Sequence, residues 1–339
     1  MVRFYLTFVF ILSISVSVFA KVLRVNNQET SNPEQNTFAS LEEAYSYAVS
    51  GDTLYIEGSN ISYGSLTIEK KIVLIGPGYF LSENEGETFH KQNAQVNRIN
   101  FSNGSSGAKV FGLSVSAGFS PRLNINVDNI GIFGCYFPGS TILFSVSNLN
   151  DIVIHGCFFT DFPFSFGFNI APPQNYLISN NIFQKGFLIK DNNSGTIVNN
   201  VIGESTFNVG LNSTVQIHNN ILLGEDESEA VFPDGGGSNV SYNISVAGQF
   251  GNENGNQSNV TAQDIFILGE TTSDSQYMVR EGGPADGTGK DGEDLGPFGG
   301  VKPYKLSGVP DLPVVYDFST SGFGTPEDQL PVQIKVRAK

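Results

Sequence analysis

A nine-residue pattern recurs along the middle of the chain: Asn129–Phe137 (NIGIFGCYF), Asp151–Phe159 (DIVIHGCFF), Asn175–Phe183 (NYLISNNIF), Ser194–Ile202 (SGTIVNNVI) and Thr214–Leu222 (TVQIHNNIL). A shorter copy follows at Val240–Ile244 (VSYNI). The central apolar residue falls at Ile132, Ile154, Ile178, Ile197, Ile217 and Val240, at successive separations of 22, 24, 19, 20 and 23 residues. Val110 lies one repeat upstream. A unit this short cannot bury its own apolar face, so it must stack on its neighbours as a solenoid. The Leu-x-x-Leu-x-Leu pattern of a leucine-rich horseshoe is missing. Short alternating strands broken by Gly and Asn instead predict a parallel β-helix, each coil stacked about 4.8 Å above the last. Composition agrees: of 339 residues 38 are Gly, 28 are Phe and none is Trp. Gly and Asn favour turns over helix interiors, which argues against a helical bundle or a doubly wound α/β enzyme.

One column of the repeat carries more information. Three residues after each central position come Cys135, Cys157, Asn181, Asn200, Asn220 and Asn243. Asn tolerates the left-handed backbone of a sharp bend, and stacked amides can hydrogen-bond from coil to coil. In this ladder the chain resembles the right-handed parallel β-helix proteins of the pectin-lyase-like superfamily, over roughly residues 50 to 268. The resemblance implies an all-β, right-handed, single-stranded solenoid, here of about nine or ten turns. It does not imply one activity, because that fold hosts lyases, hydrolases, esterases and inert adhesins.

The chain ends fit the same architecture. Ser40 with Glu43 forms a capping box ahead of Leu41, Ala44, Tyr45 and Ala48 at helical spacing. This predicts a helix at about 38–49 closing the exposed end of the core. Residues 269–339 read as a C-terminal cap or tail, with strands at Val314–Phe318 and Val332–Val336. The β-helix with its N-terminal cap then spans 21–268. Residues 1–20 read as a signal peptide: Arg3, an apolar run to Phe19, and Val18-Phe19-Ala20 before Lys21. The expected location is secreted, periplasmic or cell-surface, with no membrane span after cleavage. The two cysteines cannot form a disulfide-rich scaffold, and in stacked positions they are expected to be free, buried thiols.

Net charge is −15 with 18 Lys and Arg in all, which excludes a nucleic-acid reader. No Arg-x-Lys motif lies in the coils, and basic residues there are sparse, as Arg122, Lys109, Lys185 and Lys190. Asp161, Lys185 and Glu204 each follow the ladder position by four residues and read as an alternating surface charge column. Flanking carboxylates would raise the Lys185 pKa, the wrong direction for a base. His155 and His218 share a column but stand three coils apart, too far to hold one metal. The Gly-rich acidic run Asp286–Asp294 places Lys290 where a calcium loop needs an oxygen. No metal site or cofactor is expected; calcium is the one ion left open, without a clear ligand cluster.

The strands near Leu123–Val127, Ile142–Val146, Phe164–Ile170, Phe187–Lys190 and Phe207–Val209 alternate, with Asn124, Asn126, Ser145, Asn169, Lys190, Thr206 and Asn208 facing outward. The resemblance implies that the corresponding sheet forms a saccharide groove, and amides and hydroxyls suit sugar hydroxyls. The expectation is therefore an exported, non-catalytic extracellular or cell-surface module that binds a glycan on this face. The alternative is a polysaccharide lyase or glycoside hydrolase acting on an acidic polysaccharide.

Overall fold

A computed structural model describes residues 20–116, 123–139, 142–161, 163–166, 172–203, 206–210, 212–227, 230–232, 239–269, 271–322 and 329–338. The chain is a right-handed parallel β-helix with three faces. One face is an eleven-stranded long sheet; a second is a short sheet of eight two-residue strands; the third is divided into two four-stranded halves. The short sheet counts about eight turns, fewer than the nine or ten expected. From Thr53–Ile56 to Asn239–Ser241 the long sheet has nine strands, but the coil opened by Thr53–Ile56 contributes none to the short sheet.

The repeat explains the register. Val110, Ile132, Ile154, Ile178, Ile197, Ile217 and Val240 pair directly in the long sheet and point into the core. The abundant Phe fills the adjoining columns. Phe137 stacks on Phe159 at 4.7 Å and Phe159 on Phe183 at 4.8 Å, while Phe164 stacks on Phe187 at 5.2 Å. Like rings one coil apart stack because parallel in-register strands repeat at nearly the thickness of an offset aromatic pair.

The N-terminal helix runs Leu41–Tyr47, shorter than expected, because Thr37–Phe38 is extended and pairs with Val22–Val25. Ser40 Oγ accepts the Glu43 N–H at 3.1 Å, whereas the Glu43 carboxylate turns to the Ser31 hydroxyl, so only half of the capping box forms. Leu41, Ala44 and Ala48 seal the first coil. Lys70 Nζ donates to the carbonyls of Tyr45 and Ala48 at the helix C-terminus, where a cation is favoured.

Both residues of many short-sheet strands are apolar, so both faces of that sheet need cover. Phe137, Phe159, Phe183, Ile202 and Leu222 face the core. Phe158, Ile182, Val201, Ile221 and Ile244 face outward and are buried under Ile265, Phe266, Ala285, Leu295 and Tyr304. The covering segment runs back along the stack as a strap. Gly296 N–H donates to Asn219 O, Asn180 Nδ2 donates to the carbonyls of Pro297 and Gly299, and Tyr79 N–H donates to Ser307 O. Its anchor is buried: the Asp274 carboxylate accepts from Asn84 Nδ2, Thr272 Oγ1, Tyr304 OH and Ser307 N–H at 2.6–3.2 Å. Beyond the strap, Val314–Thr320 and Val332–Arg337 form an antiparallel pair, tied to the early loop by Arg337 with Glu87.

Candidate functional site

The bend between the long and short sheets holds a continuous hydrogen-bonded column. Each rung's backbone N–H donates to the next side chain: Cys135 to Cys157 Sγ at 3.4 Å, Cys157 to Asn181 Oδ1 at 2.9 Å, and Asn181 to Asn200 at 2.9 Å. Asn200 then donates to Asn220, Asn220 to Asn243, and Asn243 to Asn256, at 2.9–3.0 Å. The left-handed residues are not the rungs themselves. They stand one position earlier, at Gly134, Gly156, Asn180, Asn199, Asn219 and Tyr242, with φ of 53° to 65°. The first residue of each Gly-Cys, Asn-Asn or Tyr-Asn pair turns the chain and the second aims its side chain along the axis. These residues are consumed by structure.

Cys135 and Cys157 are free and fully buried, and burial pushes the Cys157 thiol well up. Unfolded, non-reduced protein should therefore titrate two thiols with a chromogenic disulfide reagent, and native protein none on the same timescale. Absence of thiols in the unfolded chain would mean that a bridge forms between adjacent coils.

The outward amide face is polar in its first half. Thr67, Asn100 and Asn124 share one column of the divided sheet, with Asn124 Nδ2 donating to Asn100 Oδ1 at 2.7 Å and Asn100 Nδ2 to Thr67 Oγ1 at 3.4 Å. Asn126 follows that strand. Among the described residues the Oδ1 atoms of Asn124 and Asn126 are screened from solvent and meet no donor. Farther along, Leu143 and Leu188 occupy the same outward position, so the polar column is interrupted. Ser145 and Lys190 are exposed just past their strands, Thr206 is half-buried just ahead of its strand, and Asn208 pairs opposite Leu188. Asn169 lies outside the described residues, as do Arg122 and Glu204 of the candidate charge groups. Asp161 accepts a hydrogen bond from Thr160 Oγ1.

A second concavity lies elsewhere. The strap stands off the outer face of the long sheet and leaves a cleft of about 890 Å³. Its floor is the column Phe111, Phe133, His155 and Ser179, flanked by Lys109, Val153 and Leu177. Its other wall is strap, including Val301, Lys302, Pro303, Lys305 and Pro310. Gly131 shapes the floor: a Cβ there would meet the Phe133 ring at 2.4 Å, so its absence lets that ring lie flat on Phe111, with centroids 4.7 Å apart and planes 13° off parallel. His155 Nδ1 and Ser179 Oγ are hydrogen-bonded at 2.9 Å. Burial, helped by Lys302 and Lys305, pushes the imidazole down to about 4, so it is neutral at neutral pH. His218 lies in the same outward column, three coils from His155.

Among the described residues no group of three or more His, Cys, Asp or Glu is placed to hold a metal ion. In the acidic run, Asp286 accepts the Gly282 N–H and Asp294 the Gly287 N–H, so both carboxylates brace their own turn. Sequence reasoning missed two features. Asn256 follows Asn243 by only 13 residues, off the repeat period, and still forms a rung. The cleft joins residues near 133 to residues near 302, and no local pattern links them. Compared with known proteins, the chain matches no family model and no curated sequence.

Proposed function

We propose that this protein is an exported, non-catalytic parallel β-helix module of the extracellular space or cell surface, which binds a glycan on the outward amide face. The carrying observation is the outward, hydrogen-bonded Thr67–Asn100–Asn124 column with Asn126 beside it. Amides and hydroxyls both donate and accept, as sugar hydroxyls do, so an outward row of them can pair with a saccharide lying along it. Export is supported by the leader-like start, Arg3 followed by an apolar run and Val18-Phe19-Ala20, which lies outside the described residues apart from Ala20.

The test is affinity electrophoresis against neutral and acidic polysaccharides, with reducing ends and unsaturated-product absorbance followed in parallel. A retarded wild type and an Asn124→Ala/Asn126→Ala variant weakened about tenfold are expected, without product release. Equal retardation of the double variant would remove the amide face as the site. Product release would replace the binding reading with the lyase or hydrolase one.

A further inference from the structure

The cleft between strap and long sheet differs in chemistry from the amide face. Phe111, Phe133, Val153, Leu177, Val301 and Pro310 make its walls mostly apolar, which would strip water from a sugar without replacing it. Its volume of about 890 Å³ falls within the range of small-molecule pockets, roughly 300–1,000 Å³. Its floor presents the edges of the stacked Phe111–Phe133 pair, which a ligand ring can meet with its face in a T-shaped contact.

Charge decides the rest. In a chain of net −15, three Lys converge on one cleft, Lys109, Lys302 and Lys305. The Lys305 ammonium is engaged by Asp311. Lys109 and Lys302 are exposed and meet no carboxylate among the described residues. The remaining carboxylate of the lining, Glu293, sits at the end of the cleft nearest Asn219, whose Nδ2 donates to it at 3.5 Å. His155 adds no charge at neutral pH. The cleft thus combines an apolar body, an aromatic floor and two uncompensated cations.

We infer that this cleft binds a flat aromatic monoanion, with its ring system against Phe111 and Phe133 and its carboxylate or sulfonate at the rim formed by Lys109 and Lys302. Complementary charge selects the anion over neutral and cationic isosteres, because the two ammonium groups meet no competing carboxylate among the described residues. Val301, the most exposed apolar residue of the strap, lies at the lip where it can cover the far side of the ring. This site is independent of the amide face and stands or falls without it.

The probe is 2-naphthoate, measured by calorimetry on the mature chain, with 2-naphthalenemethanol and 2-naphthylmethylamine as neutral and cationic counterparts. The naphthoate is expected to bind at least about tenfold more tightly than either counterpart. Lys109→Glu/Lys302→Glu should abolish that preference, and since both side chains are exposed the fold should be retained, checked by circular dichroism. Phe133→Leu should weaken naphthoate while leaving the charge preference in place. Equal affinity for the three probes, or a preference that survives the double charge reversal, would overturn the assignment. So would displacement of naphthoate by a glycan that binds the protein, because the cleft would then be the saccharide site.

Discussion

Asp274→Ala should destabilise the protein on the order of 3 kcal/mol, the cost of taking the shared acceptor from a set of buried donors. The carboxylate is fully buried and receives four donors from three stretches of chain far apart in sequence. Truncation leaves those donors buried. Asn84 Nδ2 can still reach Ser307 Oγ, Thr272 Oγ1 can still reach Ser275 Oγ, and Tyr304 keeps its hydroxyl contact with Tyr79. Ser307 N–H has no such alternative, and Ser307 itself holds a left-handed φ of 63°, which a non-glycine residue maintains only under restraint. Loss of the anchor therefore frees the strap and exposes Phe158, Ile182 and Val201 beneath it. Urea unfolding followed by circular dichroism measures the loss, and native-state proteolysis should cut first between 285 and 310. Tyr304→Phe, which removes the hydroxyl's bonds to Asp274 and Tyr79 but keeps the anchor, should cost less, about 1 to 2 kcal/mol. A variant as stable as wild type would show that the strap is held by apolar contact alone.

The solenoid was legible because its determinants are local and repeated. An apolar residue, two intervening positions and an Asn or Cys recur in every coil from 132 to 243, and the register follows once one coil is placed. The assignment of the turn within each pair was not legible from spacing. Asn180 and Asn181 are chemically identical, and only their orientations divide the left-handed bend from the ladder. The strap left a signal that reasoning on repeats passed over: Phe158-Phe159, Ile182-Phe183 and Ile221-Leu222 are apolar at both positions, which a sheet with one wet face would not be. What covers that face could not be read, because Ile265, Leu295 and Tyr304 follow no period. The amide face was half legible. Asn124 is joined to Asn100 and Thr67 by pairing across coils, whereas Leu143 and Leu188 break the row.

Asn200→Ala should cost on the order of 3 kcal/mol, by leaving several fully buried groups without partners. The side chain accepts from Asn181 N–H at 2.9 Å and Asn181 Nδ2 at 3.0 Å, and its two N–H groups, one of them shared, donate to Ile178 O, Val198 O and Asn220 Oδ1 at 2.9–3.0 Å. The carbonyls lose a donor they can spare more readily than the Asn181 N–H loses its acceptor, since a carbonyl in a sheet has a second partner and an amide hydrogen has none. The N-terminal rungs suggest the comparison that isolates this term. Cys157 Sγ takes the Cys135 N–H in the same geometry at 3.4 Å, so sulfur can stand in for the amide oxygen at longer range. Asn200→Cys should therefore retain part of what Asn200→Ala loses, although both remove the same donors. Asn200→Asp keeps the acceptors but buries a charge beside the Asn220 oxygen and should be the least stable of the three. Denaturant unfolding gives the order, and hydrogen exchange gives the locus: in Asn200→Ala the Asn181 amide should lose protection before its neighbours in the long sheet. Equal stability of the Ala and wild-type proteins, or exchange that rises evenly along the stack, would mean that the sheets and not the amide column hold adjacent coils in register.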